Sequence, residues 1–151
     1  MAIITLGKLL DRVEAFEGRL AIFFADVRDQ SKDNGVRLLT YYLARHRRHQ
    51  QQAFDDFDKQ AINLVRRVKV RNDVPFTPEV EAPLLQAQPG TVSGKALLEA
   101  AVAYNAYLGR YYDNILKFPL NQDATFLILS LIRIEEHDTL MLKKMIAMHY
   151  F

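Results

Sequence analysis

The sequence predicts an all-α four-helix bundle made of two related helical hairpins. Three observations support this fold class: four long amphipathic segments, a proline-rich stretch between the second and third of them, and an internal repeat at an offset of 88 residues. The 151 residues, half of them hydrophobic and a quarter charged, suit one folded domain. We therefore predict a single domain over 1–151, with hairpin 1 at about 3–70, a crossover at 71–94 and hairpin 2 at 95–149.

The four segments carry apolar residues at the three-and-four spacing of a helix face. The first is expected to occupy about 3–30, where a turn cluster follows it. The second is expected to run without interruption over about 36–68. The third covers about 95–117 and is stopped before Pro119, and the fourth, with an N-cap at its start, covers about 121–148.

The connections between these helices are short, long and short. The long one concentrates residues that break helices: Pro75, Pro78, Pro83, Pro89, Gly90 and Gly94. A bundle with one long crossover between its second and third helices has this loop pattern.

The repeat relates the two hairpins without a gap. Adding 88 takes Phe16 to Tyr104, the pair 23–24 to 111–112, and His49 to His137. Two hairpins with matching inner positions can pack as a pseudo-symmetric bundle that buries both apolar faces.

Several polar residues share the apolar faces, where burial without a partner or an ion costs free energy. By their spacing we expect five of them to point inward at one level of the bundle: Glu17, His46, His49, Asn105 and His137. The same spacing places Glu135 and Asp138, which flank His137, on the outer side, as surface charges unless the fourth helix is rotated.

With these residues in place the chain resembles the ferritin-like superfamily, and rubrerythrin-type proteins in particular. That family binds two iron or manganese ions through one Glu on each of the first and third helices and a Glu-x-x-His on each of the second and fourth. Three positions match this pattern: Glu17, His49 and His137. Three others stand where the family has Glu: His46, Asn105 and Ile134.

The resemblance implies a ferritin-like protein that has lost two-metal oxidase and iron-storage chemistry. We expect it to act as a structural or interaction protein without a cofactor, as a homo-oligomer or a subunit of a protein assembly. The alternative is a metalloprotein that holds one iron, manganese or zinc ion through Glu17, His46 and His49, with His137 as a fourth ligand and redox activity on oxygen or peroxide.

A hydrogen-bonded cluster without metal is the other interpretation of the same residues. Two imidazoles, His46 and His49, would then compete for the Glu17 carboxylate. We expect one imidazolium and one neutral ring, so that stability would fall as the pH drops below about 6.5.

Cysteine content, charge and hydropathy exclude several further classes of site and of partner. The chain has no cysteine, which excludes disulfides, thiolate metal sites and cysteine nucleophiles. The net charge is +2, and a basic strip at 45–48 and 66–71 alternates with acidic residues, so nucleic-acid binding is not expected. No apolar run is long enough for a membrane span, and we expect a cytoplasmic protein.

Overall fold

Long helices make up most of the chain in the computed structural model, which describes residues 3–86 and 88–149, without the side chains of Leu84 and Gln86. In chain order the elements are β1 (Ile4–Thr5), α1 (Leu6–Gln30), α2 (Asn34–Phe54), α3 (Lys59–Arg66), β2 (Lys69–Val70), α4 (Pro78–Glu81), α5 (Gly94–Leu116) and α6 (Gln122–Ala147). Two short 3₁₀ turns, Pro83–Gln86 and Pro89–Thr91, lie in the crossover. The predicted all-α class is confirmed, apart from one small antiparallel pair of strands.

Side-chain caps set the starts of the four long helices, because the first backbone N–H groups of a helix have no partner within it. The capping side chains are Thr5, Asp33, Ser93 and Asn121. Asn121 accepts from the backbone N–H of Ala124 at 2.8 Å, so the N-cap predicted for the fourth helix is confirmed.

Replacement of Asp33 by alanine is expected to destabilise the fold by about 1 kcal/mol. The Asp33 carboxylate accepts from the backbone N–H groups of Gly35 at 2.8 Å and Val36 at 3.4 Å, and alanine leaves both without that acceptor. Urea unfolding followed by circular dichroism measures the loss. The control is Asp26→Ala, which removes an exposed carboxylate from α1; an equal effect of the two substitutions would contradict the capping role.

The second predicted helix is shorter than expected. Its continuous run over 36–68 is wrong, because α2 ends at Phe54 and α3 begins only at Lys59. Three aspartates fall in the break, and such side chains favour caps and turns over helix interiors because they compete for backbone hydrogen bonds. Asp58 does this directly: it caps α3 by accepting from the N–H of Ala61 at 2.7 Å.

The start of the chain and the crossover are tied to the bundle by polar contacts. Ile4 pairs with Val70 across the two strands, and the N–H of Leu6 donates to the carbonyl of Val68 at 2.7 Å. Arg12 on α1 bonds Asp73 at 2.6 Å and the carbonyl of Val74 at 3.0 Å. The crossover therefore lies against α1 and does not loop freely.

Buried positions repeat through the 88-residue offset along the first helix of each hairpin. Every buried residue of α1 falls on a buried residue of α5, except that Gly7 falls on Lys95. A side chain at position 7 would be crowded, because a Cβ there would lie 3.0 Å from the carbonyl oxygen of Arg66.

The second helices follow the same offset only in part. The buried positions 36, 39, 40 and 43 of α2 match 124, 127, 128 and 131 of α6. Beyond Leu131 the next buried residues of α6 are Glu135 and Leu142, one position later than the offset predicts from His46 and Ala53.

The bundle is completed by helix pairs within and between the hairpins. α1 packs against α2, α5 packs against α6, and α2 also contacts α5 and α6. In the described part of the chain no helix is both long and apolar enough to cross a membrane.

Candidate functional site

A buried ionisable cluster lies at the centre of the bundle and joins three helices. It consists of Glu17 on α1, His46 on α2 and Glu135 on α6, and we call it the Glu–His–Glu cluster. The Nε2 atom of His46 lies 2.5 Å from Oε2 of Glu135, and its Nδ1 atom lies 3.3 Å from Oε1 of Glu17. The glutamates are only 4% and 2% exposed, so neither charge is screened well by water.

Two neutral side chains complete the hydrogen bonding of this cluster. The hydroxyl of Tyr104 on α5 donates to Oε1 of Glu17 at 2.9 Å. The amide of Gln50 donates to Oε1 of Glu135 at 2.9 Å. Burial, together with the Glu17 charge, raises the pKa of Tyr104 well above 10.0, so its hydroxyl stays protonated and remains a donor.

The charges of the cluster follow from its surroundings. Burial lowers the pKa of His46, but the carboxylates of Glu135 and Glu17 raise it more, and the net result is a pKa well above 6.5. Burial raises the pKa of Glu135 above 4.5, while His46 and Gln50 act against that rise. At neutral pH His46 is therefore an imidazolium shared by two carboxylates.

His49 and His137 lie outside this cluster. His49 is 38% exposed, and its Nδ1 atom lies 3.0 Å from both carboxylate oxygens of Asp138. His137 is 68% exposed at the surface, so its predicted inward position is wrong. The expected competition of His46 and His49 for the Glu17 carboxylate is also wrong, because His49 faces Asp138 instead.

The rotation of α6 explains these differences. The prediction placed Ile134 and His137 inward and Glu135 and Asp138 outward, whereas Glu135 is buried and Asp138 is turned to His49. A rotation by one residue of a helix moves each side chain about 100° around the axis. Glu135 falls four residues after Leu131 and seven after Ile128, a spacing that continues the buried stripe.

Sequence reasoning thus missed Gln50, and it assigned Glu135 and Asp138 to the surface for the unrotated helix. The signal that would have found Glu135 is its spacing from Ile128 and Leu131. Gln50 has the same kind of signal, because it lies three residues before the buried Ala53 and seven after Leu43.

A pocket of about 250 Å³ opens beside the Glu–His–Glu cluster. All four predicted metal ligands border it, and among them the ion pair found within the described residues is that of Glu17 with His46. Asn105 also borders the pocket; it is 3% exposed, and its side-chain amide makes no hydrogen bond within the described residues. The inward positions predicted for Glu17, His46 and Asn105 agree with the structure.

Metal binding needs several donors around one point. Within 3–86 and 88–149 no group of three or more His, Asp and Glu side chains is arranged to hold a metal ion.

Comparison of the chain with protein-family models, with curated proteins and with solved structures finds no significant match. Fold and site together define a helical bundle with a buried, hydrogen-bonded Glu–His–Glu cluster at its centre.

Proposed function

We propose that the chain is a ferritin-like bundle without two-metal oxidase chemistry that acts as a structural or interaction protein. The observation that carries this proposal is the place of His46 between Glu17 and Glu135. A pair of buried carboxylates needs a nearby cation, because an unpaired buried charge is costly. In this protein that cation is the imidazolium of His46, so no metal ion is needed to balance the two carboxylates.

The protonated state of His46 opposes metal binding. An imidazole must be neutral at the nitrogen that binds a metal ion. Both ring nitrogens of His46 face carboxylates, and those carboxylates hold its pKa well above 6.5 after burial has lowered it. An ion would have to displace a proton that two carboxylates hold.

The donor set does not fit the two-ion centre of the resembled family. On α6, Glu135 and Asp138 take the inner positions predicted for Ile134 and His137, but Glu135 is paired with His46 and Asp138 with His49. Asn105 offers only a weak amide donor, and His137 is at the surface. The single-ion alternative at Glu17, His46 and His49 has less support than the proposal, because His49 is turned toward Asp138.

The interaction role is supported by exposed apolar side chains on the outer side of α6. Three large apolar residues of this helix are exposed: Phe126, Leu129 and Leu140. Phe126 and Leu129 are three residues apart and share one face of α6, and exposed apolar residues on one face suit contact with a second protein surface.

A test with ferrous iron follows from the proposal. Added to the metal-free protein in air, ferrous iron is expected to oxidise no faster than in buffer containing His46→Gln protein. Oxygen-dependent oxidation that saturates at two ions per chain would refute the proposal. The single-ion alternative would be supported instead if protein purified without chelator held near-stoichiometric iron, manganese or zinc that a His49→Ala variant lost.

A further inference from the structure

The pocket beside the Glu–His–Glu cluster has an unusual set of free polar atoms. Tyr104 and His46 both approach the same oxygen of Glu17, Oε1. Its other oxygen, Oε2, has no hydrogen-bond partner in the described part of the chain. The Asn105 amide, almost fully buried, is also unpartnered there and borders the same pocket.

The donors near these atoms are already used. The two ring nitrogens of His46 face Glu135 and Glu17, and the hydroxyl of Tyr104 donates to Glu17. Tyr42, Arg45, His49 and His137 also line the pocket and carry donor groups. At Glu17 and Asn105 themselves, a bound molecule meets a carboxylate oxygen and an amide oxygen as acceptors, with the Asn105 NH₂ group as the donor. This inventory favours a ligand whose polar end donates hydrogen bonds.

Charge points to the same kind of ligand. Two carboxylates and one imidazolium leave the cluster with a net negative charge, and Asp138, which faces His49, adds a carboxylate at the pocket wall. The one arginine on the lining is Arg45, an exposed residue whose guanidinium lies over the Tyr42 ring at 5.7 Å. An anion could meet Arg45 only at the opening, whereas a cation is attracted to the buried end.

The rest of the pocket is apolar. One and two turns beyond Glu17 on α1 are Leu20 and Phe24, and Leu43, Ala101 and Leu142 face them from three other helices. A volume of about 250 Å³ lies just below the roughly 300–1,000 Å³ of pockets for drug-sized ligands. The occupant is therefore a small molecule with a short apolar body.

We propose that this pocket binds a small primary amine in its ammonium form, with the ammonium group at Glu17 and Asn105 and the apolar body between Leu20, Phe24 and Leu142. An ammonium group has three donors and no acceptor, which matches the free oxygens of Glu17 and Asn105. The proposal rests on the proposed function, because it takes the Glu–His–Glu cluster to be free of metal.

Three probes of equal chain length test the ligand class: hexylamine, hexan-1-ol and hexanoate, each titrated into the metal-free full-length protein by calorimetry. Hexylamine is expected to bind at least tenfold more tightly than hexan-1-ol, and hexanoate more weakly than either. Nuclear magnetic resonance should show the Asn105 side-chain amide signals moving with hexylamine. Equal affinity for amine and alcohol, a preference for hexanoate, or no binding of any probe would each overturn the proposal.

Variants locate the site. Glu17→Gln and Asn105→Leu are each expected to weaken hexylamine binding about tenfold or more, whereas Asn114→Leu, an exposed position on the same helix, leaves it unchanged. Ala101→Phe fills the apolar part and should abolish binding, which keeps the test decisive if Asn105→Leu does not fold. Unchanged binding in folded Ala101→Phe protein would place the amine elsewhere and overturn the proposal.

A parallel titration with Zn²⁺ and Fe²⁺ separates this inference from the proposed function. Stoichiometric metal binding at the cluster, without uptake of hexylamine, would overturn both. Failure of the metals and of hexylamine to bind would overturn the amine site alone.

Discussion

Replacement of His46 by glutamine is expected to lower the free energy of unfolding by about 3–5 kcal/mol near pH 6.5. The substitution keeps a polar side chain but removes the positive charge between Glu17 and Glu135. Two carboxylates that are 4% and 2% exposed then remain without a cation. Urea unfolding of wild type and variant, followed by circular dichroism, measures the difference.

The matched control is His137→Gln, because that imidazole is 68% exposed and outside the cluster. It is expected to change stability by less than about 0.5 kcal/mol. Adding Glu17→Gln and Glu135→Gln to His46→Gln removes both uncompensated carboxylates, so the triple variant should regain part of the loss. A triple variant less stable than His46→Gln alone would contradict the electrostatic cause.

Stability is expected to fall as the pH rises above 6.5, the ordinary pKa of histidine. The folded protein holds the His46 proton more tightly than the unfolded chain does, because Glu135 and Glu17 outweigh the effect of burial. A pKa raised on folding contributes stability that is fully present below 6.5 and is lost as the pH rises through the folded value. Within that window the loss approaches about 1.4 kcal/mol per pH unit.

This direction is opposite to the one that two imidazoles sharing Glu17 would produce. Burial gives Glu135 a raised pKa as well, so its ionisation also costs stability with rising pH, but in a window that starts near 4.5. Unfolding of wild type and His46→Gln between pH 6.5 and 9.5 isolates the histidine contribution. The gap in stability between the two proteins should narrow as the pH rises, and a constant gap would exclude His46 as the titrating group.

The sequence was most informative where buried positions keep one periodicity. Apolar spacing along α1 and α5, together with the 88-residue offset, correctly indicated that Glu17 and Asn105 point inward. His46 could be assigned in the same way, since it lies seven residues after Leu39 and before Ala53. Those assignments depend on local spacing alone.

The fourth helix shows where that reasoning fails. The repeat predicted Ile134 and His137 inward, but packing turns Glu135 and Asp138 inward instead, each one residue later along α6. Periodicity on one helix allows neighbouring rotations, and the choice between them depends on contacts with α2, which the sequence does not display. The pairing of His49 with Asp138 follows from the same rotation.

The break after α2 has a different cause. Its apolar spacing continues toward Val68, so periodicity predicts one helix, whereas the capping geometry of Asp58 ends that regularity. Local hydrogen bonding by a short acidic side chain outweighed the apolar pattern.

The polar residues at the centre of the bundle differ between the two hairpins, whereas the buried positions of α1 and α5 repeat almost without exception. A symmetric dimer of one hairpin would place every side chain twice about its axis, so each glutamate would come with a second copy and each histidine likewise. One imidazolium between a glutamate from the first half and a glutamate from the second needs two unlike halves. Because the two hairpins belong to one chain, their apolar faces can stay alike while position 17 carries an acid and position 105 an amide. Two identical subunits could not carry different residues at these matching positions.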